Sequence, residues 1–180
     1  KEEFYQMEGI NVVENDNVMH QTAVKLLHER GVKEEDIAEL VLFLQKKYIV
    51  DLSLEECIEN VKSVLKKREV QNAILTGIQL DILAEEDKLL QPLQEIVEED
   101  EGLYGIDEIL ALSIVNVYGS IGFTNYGYID KVKPGILAEL NSHEGPRVHT
   151  FLDDIVGAIA ASAASRIAHQ HPEKADTITK

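Results

Sequence analysis

The chain has 180 residues, 44% of them hydrophobic, which suits one domain with a real core. Its 17 Lys and Arg against 33 Asp and Glu leave a formal charge of −16, a field that repels a phosphate backbone and excludes a general nucleic-acid binder. The single cysteine, Cys57, excludes an internal disulfide and any Cys-x-x-Cys site.

Residues 1–18 show no period, and Asn15-Asp16-Asn17 reads as a turn or cap, so an irregular N-terminal extension is expected there. The first twenty residues lack the basic-then-apolar pattern of a signal peptide. No apolar run reaches the roughly 18–20 residues of a membrane span, so no transmembrane segment is expected. The expected location is cytoplasmic, at most peripheral to a membrane.

From Met19 the pattern is helical. Ala23, Leu26, Leu27 and Arg30 end at Gly31, a C′ signal. Ile37, Leu40, Val41, Leu44 and Tyr48 form one apolar stripe. Ser53-Leu-Glu-Glu56 is a capping box ahead of the stripe Leu54, Cys57, Ile58, Val61 and Leu65, on which Cys57 reads as a core thiol. The stripe slips at Lys66-Lys67-Arg68, which predicts a bend or a new helix carrying Val70, Ala73, Ile74 and Ile78. Pro92 favours a helix start at residue 91 or 92. Residues 106–117 and 151–168 are apolar on nearly all sides and read as buried helices. The expected fold is all-α: a single-domain multi-helix bundle of about seven helices with a buried central helix, spanning 19–180.

Residues 119–150 hold three basic and three acidic residues, so the other residues carry the whole excess of negative charge. Gly119, Gly122, Gly127 and Gly135 punctuate the segment, which reads as a loop between two buried helices. Its polar groups Ser120, Thr124, Asn125, Asp130, Lys131 and Lys133 suit an anion, or they simply make a soluble connection. Pro134 is expected to open a short helix through Leu140.

Two adjacent acids, Asp153 and Asp154, then open an otherwise apolar helix. A buried carboxylate without a partner is costly. Thr150-Phe-Leu-Asp153 fits a capping box, which accounts for Asp153 but less well for Asp154. A hard cation such as Mg²⁺, which takes carboxylate oxygens, is the other explanation. Asp107 and Glu108 start a buried helix and read first as a cap, but remain candidates. His143 and His149 read as loop residues.

These segments resemble a known family. Phe151-Leu-Asp-Asp-Ile-Val-Gly157 is similar to the Asp-Glu-(apolar)-Val-Gly signature of the phosphatidylglycerophosphatase A family, with Asp154 in place of the Glu. Gly122-Phe123 followed by Pro134-Gly135 resembles its Gly-Phe…Pro-Gly-Thr segment, with Ile136 in place of the Thr. The chain looks most like the soluble, Gram-positive branch of that family, which lacks hydrophobic spans. The resemblance implies Mg²⁺-dependent removal of phosphate from a lipid head group or another phosphorylated small molecule. It implies catalytic roles for Asp153, Asp154 and Asp130, and metal binding by Asp153, Asp154 and Asp107. Thr124, Asn125, Lys131, Lys133 and Arg147 would hold the substrate. The competing reading is a non-enzymatic scaffold, a homo-oligomer packed through small faces such as Ala158, Ala161 and Ala164, with Asp154 paired to a base such as Lys131. A homo-oligomer is expected on either reading.

Overall fold

A computed structural model describes residues 12–142 and 145–171. The helices are α1 (Val12–Glu29), α2 (Glu34–Gln45), α3 (Leu54–Leu65), α4 (Arg68–Glu85) and α5 (Leu93–Glu98), then α6 (Ile106–Val115), α7 (Ser120–Val132), α8 (Ile136–Leu140) and α9 (Leu152–Gln170). A short 3₁₀ turn, Asn116–Tyr118, joins α6 to α7. There is no strand among the described residues, so the protein is all-α.

The local signals act where the sequence places them. The Ser53 hydroxyl accepts the Glu56 amide at 3.1 Å and starts α3. Gly31, at φ +89°, turns the chain out of α1, and the Val32 amide reaches back to the Leu27 carbonyl at 2.9 Å. Lys66 and Lys67 separate α3 from α4. The break before α1 falls elsewhere. The helix begins at Val12 and runs through Asn15-Asp16-Asn17, which is not a turn; residues 1–11 lie outside the described residues.

The centre of the bundle is α9, packed against α2, α3, α4, α6 and α7. Every residue from Leu152 to Ser165 is buried. Ala158, Ala161 and Ala164 are fully buried within the chain, so the face read as suited to subunit packing lies inside the bundle. Small residues let these neighbours, and the short α8, approach one axis. The larger ones, such as Ile155 and Ile159, each contribute roughly 1.5–3 kcal/mol by leaving water.

Two expectations need correction. The stretch read as a buried helix over 106–117 is only half covered: Ala111, Ile114 and Val115 are buried, but Ile106 and Ile109 are 53% and 61% exposed. Apolar residues all round do not say which face finds a neighbour. The glycine-rich stretch read as a loop is helix α7. Its buried positions Gly122, Tyr126 and Ile129 fall at i, i+4 and i+7. Gly122 is there for approach, since a Cβ would meet Val115 Cγ1 at 3.1 Å. The turn is confined to Gly119, at φ +77°, ahead of the helix.

Candidate functional site

The start of α9 is capped from another helix. Asp81, fully buried on α4, accepts the Phe151 amide at 3.0 Å with Oδ1 and the Leu152 amide at 3.1 Å with Oδ2. Those are orphan donors of the first helical turn, so α9 needs no cap of its own. Gly77, one turn earlier on the same face, makes this approach possible: a Cβ there would lie 2.9 Å from Phe151 Cβ. Thr150 therefore does not close a capping box with Asp153. Its hydroxyl donates to the Val97 carbonyl at 2.6 Å. Asp153 and Asp154 are left to do something other than start the helix.

The two take different surroundings. The Asp153 carboxylate accepts the Lys133 ammonium at 2.7 Å and the Asp154 amide at 2.8 Å. Lys133 also pairs with Asp130 at 2.8 Å and lies 3.8 Å from Asp154. Lys133 is the C-cap of α7, in the left-handed region at φ +47°, an unfavourable conformation for a lysine that brings its side chain back over α9. Burial works against its charge, but Asp153 and Asp130 outweigh burial and hold its pKa above the ordinary value. Burial pushes the Asp153 carboxyl up, and Lys133 opposes it.

Asp154 has a carboxylate partner set instead. Oxygens of Asp107, Glu108 and Asp154 lie within 4.8 Å of one another. Burial and then the neighbouring Asp153 push the Asp154 pKa to about 8; burial and then Glu108 push that of Asp107 to about 7. Asp107 Oδ1 and Glu108 Oε2 are buried and accept no hydrogen bond, and the Tyr126 hydroxyl, beside Asp154, is buried without a partner too. Five acids thus gather around one ammonium. Such a centre is stable only with protons or a cation on the unpaired side.

Of the other residues singled out from the sequence, Arg147 is exposed and lines a cleft that Asp153 also lines. Thr124 and Lys131 sit on the exposed face of α7, and the Thr124 hydroxyl bonds the Ser120 carbonyl of its own helix. Asn125 is half-buried, with an unpartnered side-chain nitrogen. The base beside Asp154 is Lys133, not Lys131. Asp81 and Tyr126 are not singled out by the sequence, and Glu108 reads there first as a cap while remaining a candidate. Asp81 carried a readable signal: an acid on the stripe Ile74, Ile78, Asp81 poses the same question as Asp154.

A family model described as phosphatidylglycerophosphatase A matches residues 31–169, which contain every residue of this centre. The chain belongs to the phosphatidylglycerophosphatase A family. The uncharacterized protein YutG of Bacillus subtilis is 66% identical over 152 residues, covering 84% of this chain and 92% of its own. YpjQ of the same organism is 58% identical over 161 residues, 89% of this chain and 90% of its own. Among solved structures, the low temperature requirement C protein of Listeria monocytogenes is 71% identical with a TM-score of 0.84, covering 86% of this chain and 97% of that one. A protein of unknown function from Bacillus stearothermophilus is 70% identical with a TM-score of 0.82, covering 84% of this chain and 94% of that one. No helix among the described residues is long and apolar enough to cross a membrane.

Proposed function

We propose that this protein is a Mg²⁺-dependent phosphomonoester hydrolase of the phosphatidylglycerophosphatase type, acting on a phosphorylated lipid head group or a molecule that shares its chemistry. The observation that carries the reading is the gathering of Asp107, Glu108 and Asp154 oxygens within 4.8 Å of one another beside Lys133, with Asp107 Oδ1 and Glu108 Oε2 buried and without a hydrogen-bond partner, in a chain of that family. All its donors are hard oxygens, which fit Mg²⁺ and do not favour a soft, thiolate-seeking metal. Asp107, Glu108 and Asp154 would hold the ion. Bound there, Mg²⁺ supplies neutralisation of the phosphate oxygens and so admits an anion to an acidic protein.

The chain's own groups do the rest. Lys133 offers a half-buried ammonium to the phosphate, with Asp153 and Asp130 holding it in place. Asp130, with its side chain 40% exposed, is open to solvent beside Lys133 and is placed to take a proton from attacking water. Asp153 is a positioning residue through Lys133 and not a metal ligand in this reading. The test is release of inorganic phosphate from phosphatidylglycerophosphate and from short-chain phosphomonoesters, with Mg²⁺ and with EDTA. Release that depends on Mg²⁺ is expected. Folded protein with no activity on any phosphomonoester overturns the reading.

A further inference from the structure

Charge is missing from one side of the molecule. In a chain with 28% charged residues, none falls between Ile109 and Ile129. Between Val70 and Ala84 the only one is Asp81, which is fully buried. The two stretches meet in space. Helix α4 packs against α6, and Gly77 lets them close up: a Cβ there would lie 3.2 Å from Leu110 Cδ2. Their outer positions are Asn72, Thr76 and Gln79 on α4 and Ile106, Ile109 and Ser113 on α6, all exposed. Ile106, Ile109 and Ser113 fall at i, i+3 and i+7, on the side of α6 turned away from Asp107 and Ala111. Leu103, 91% exposed, precedes this stripe, and exposed Val117 and Phe123 follow it.

We propose that the outer face of α4 and α6 is the surface through which two copies of this chain pair about a two-fold axis. Pairing is independent of the phosphatase reading, because assembly is measured without turnover.

The charge pattern chooses the occupant. A two-fold axis sets a face against itself, so a charged side chain near the axis meets its own kind. For a chain of −16, the acidic surface is closed to a second copy, and an uncharged face is where two can approach. The composition suits that contact. An apolar, charge-depleted centre with charged edges is the anatomy of a protein interface. The edges here are Glu69 and Arg166, both beside Tyr118, and Glu99 and Glu101 in the chain ahead of Leu103. A lipid surface fits worse. Interfacial helices carry Lys or Arg beside their apolar face, and neither stretch holds one. An anionic leaflet would also repel the rest of the protein. On docking, the amides of Asn72, Gln79 and Asn116 need partners, which a facing protein has and acyl chains lack. The alanine faces of α9 are closed to this role, since they lie inside the bundle. Pairing through α6 would hold the helix that carries Asp107 and Glu108 between two bundles.

Sedimentation velocity tests this on wild type, Ile109→Glu and Thr76→Glu, with Gln21→Glu on the exposed side of α1 as the control. Runs span about 1 to about 100 µM protein, at about 0.05 M and about 0.5 M NaCl. Wild type is expected to dimerise, and more tightly at the higher salt, where repulsion between two acidic bodies is screened. Ile109→Glu and Thr76→Glu are each expected to weaken the dimer by about tenfold or more, because the axis brings in every added charge twice. Gln21→Glu should change it by less than about twofold. Far-UV circular dichroism shows that each variant is folded; where Ile109→Glu is not, Thr76→Glu decides. A wild type that stays monomeric to about 100 µM overturns the proposal, and so does a dimer that the folded deciding variant keeps. Flotation with vesicles of equal parts phosphatidylglycerol and phosphatidylcholine separates the lipid alternative. A monomer that floats, and stops floating in Ile109→Glu, gives the face to a membrane and overturns the second copy.

Discussion

Asp153 and Asp154 are neighbours in one helical turn, yet they sit in opposite electrostatic situations. Asp153 is compensated by the chain itself, through an ammonium and an amide. Asp154 faces Asp107 and Glu108, and its nearest ammonium is 3.8 Å away, beyond hydrogen-bond range. One residue of spacing, about 100° around the axis, separates a finished interaction from an unfinished one. The lesson is that equal acids in a motif need not share a role. The side the protein leaves uncompensated is the side that asks for something from outside.

The strongest way to break this contrast is to remove each carboxyl in turn. Asp154→Asn is expected to lower phosphatase activity on the order of 100-fold or more and to abolish the rise of Tm with Mg²⁺ concentration. Asp153→Asn is expected to keep that rise while costing about 1–3 kcal/mol of stability, because Lys133 loses its 2.7 Å partner and retains Asp130 and the more distant Asp154. Thermal melts against Mg²⁺ check both; a Mg²⁺-dependent rise lost in Asp153→Asn and kept in Asp154→Asn would reverse the assignment.

Acidity sharpens the contrast further. The folded pKa values of Asp107, about 7, and Asp154, about 8, lie above the usual value of 3.8. The folded state then binds more protons than the unfolded one across that interval, and their contribution falls as pH rises from about 4 to about 8. Without metal, wild type should lose stability relative to Asp154→Asn over this window. Mg²⁺ needs the ionised carboxylates, so its stabilising effect should grow in the same direction. Melts in EDTA and in Mg²⁺ at stepped pH give the two slopes.

The smallest effect belongs to the exposed face of α7. Lys131→Ala should change stability by no more than about 0.5 kcal/mol and leave phosphate release within about twofold. A large loss of activity would place the substrate against that face and not between Lys133 and the cleft.

How much of this was legible beforehand follows the range of each interaction. The Ser53 cap, the Gly31 stop and the apolar run from Phe151 act within a few residues, and they read correctly. Helix α7 was obscured by Gly122, whose purpose is the approach of Val115 from another element. Lys133 and Asp153 were both suspected, but their pairing across twenty residues depends on a left-handed residue at the end of α7. Glu108 looked like a cap because its partner Asp154 lies 46 positions away. His149 looked like loop filling because Arg30, which meets its ring, is 119 positions away.

Asp81 carries one further implication. Nothing within the sequence around Phe151 dictates where α9 begins; that choice is imposed by a carboxylate from α4, across a contact that only Gly77 permits. The chemical centre is thus a late product of assembly. A peptide cut from the last helix would contain both neighbouring aspartates and still lack the place at which they work.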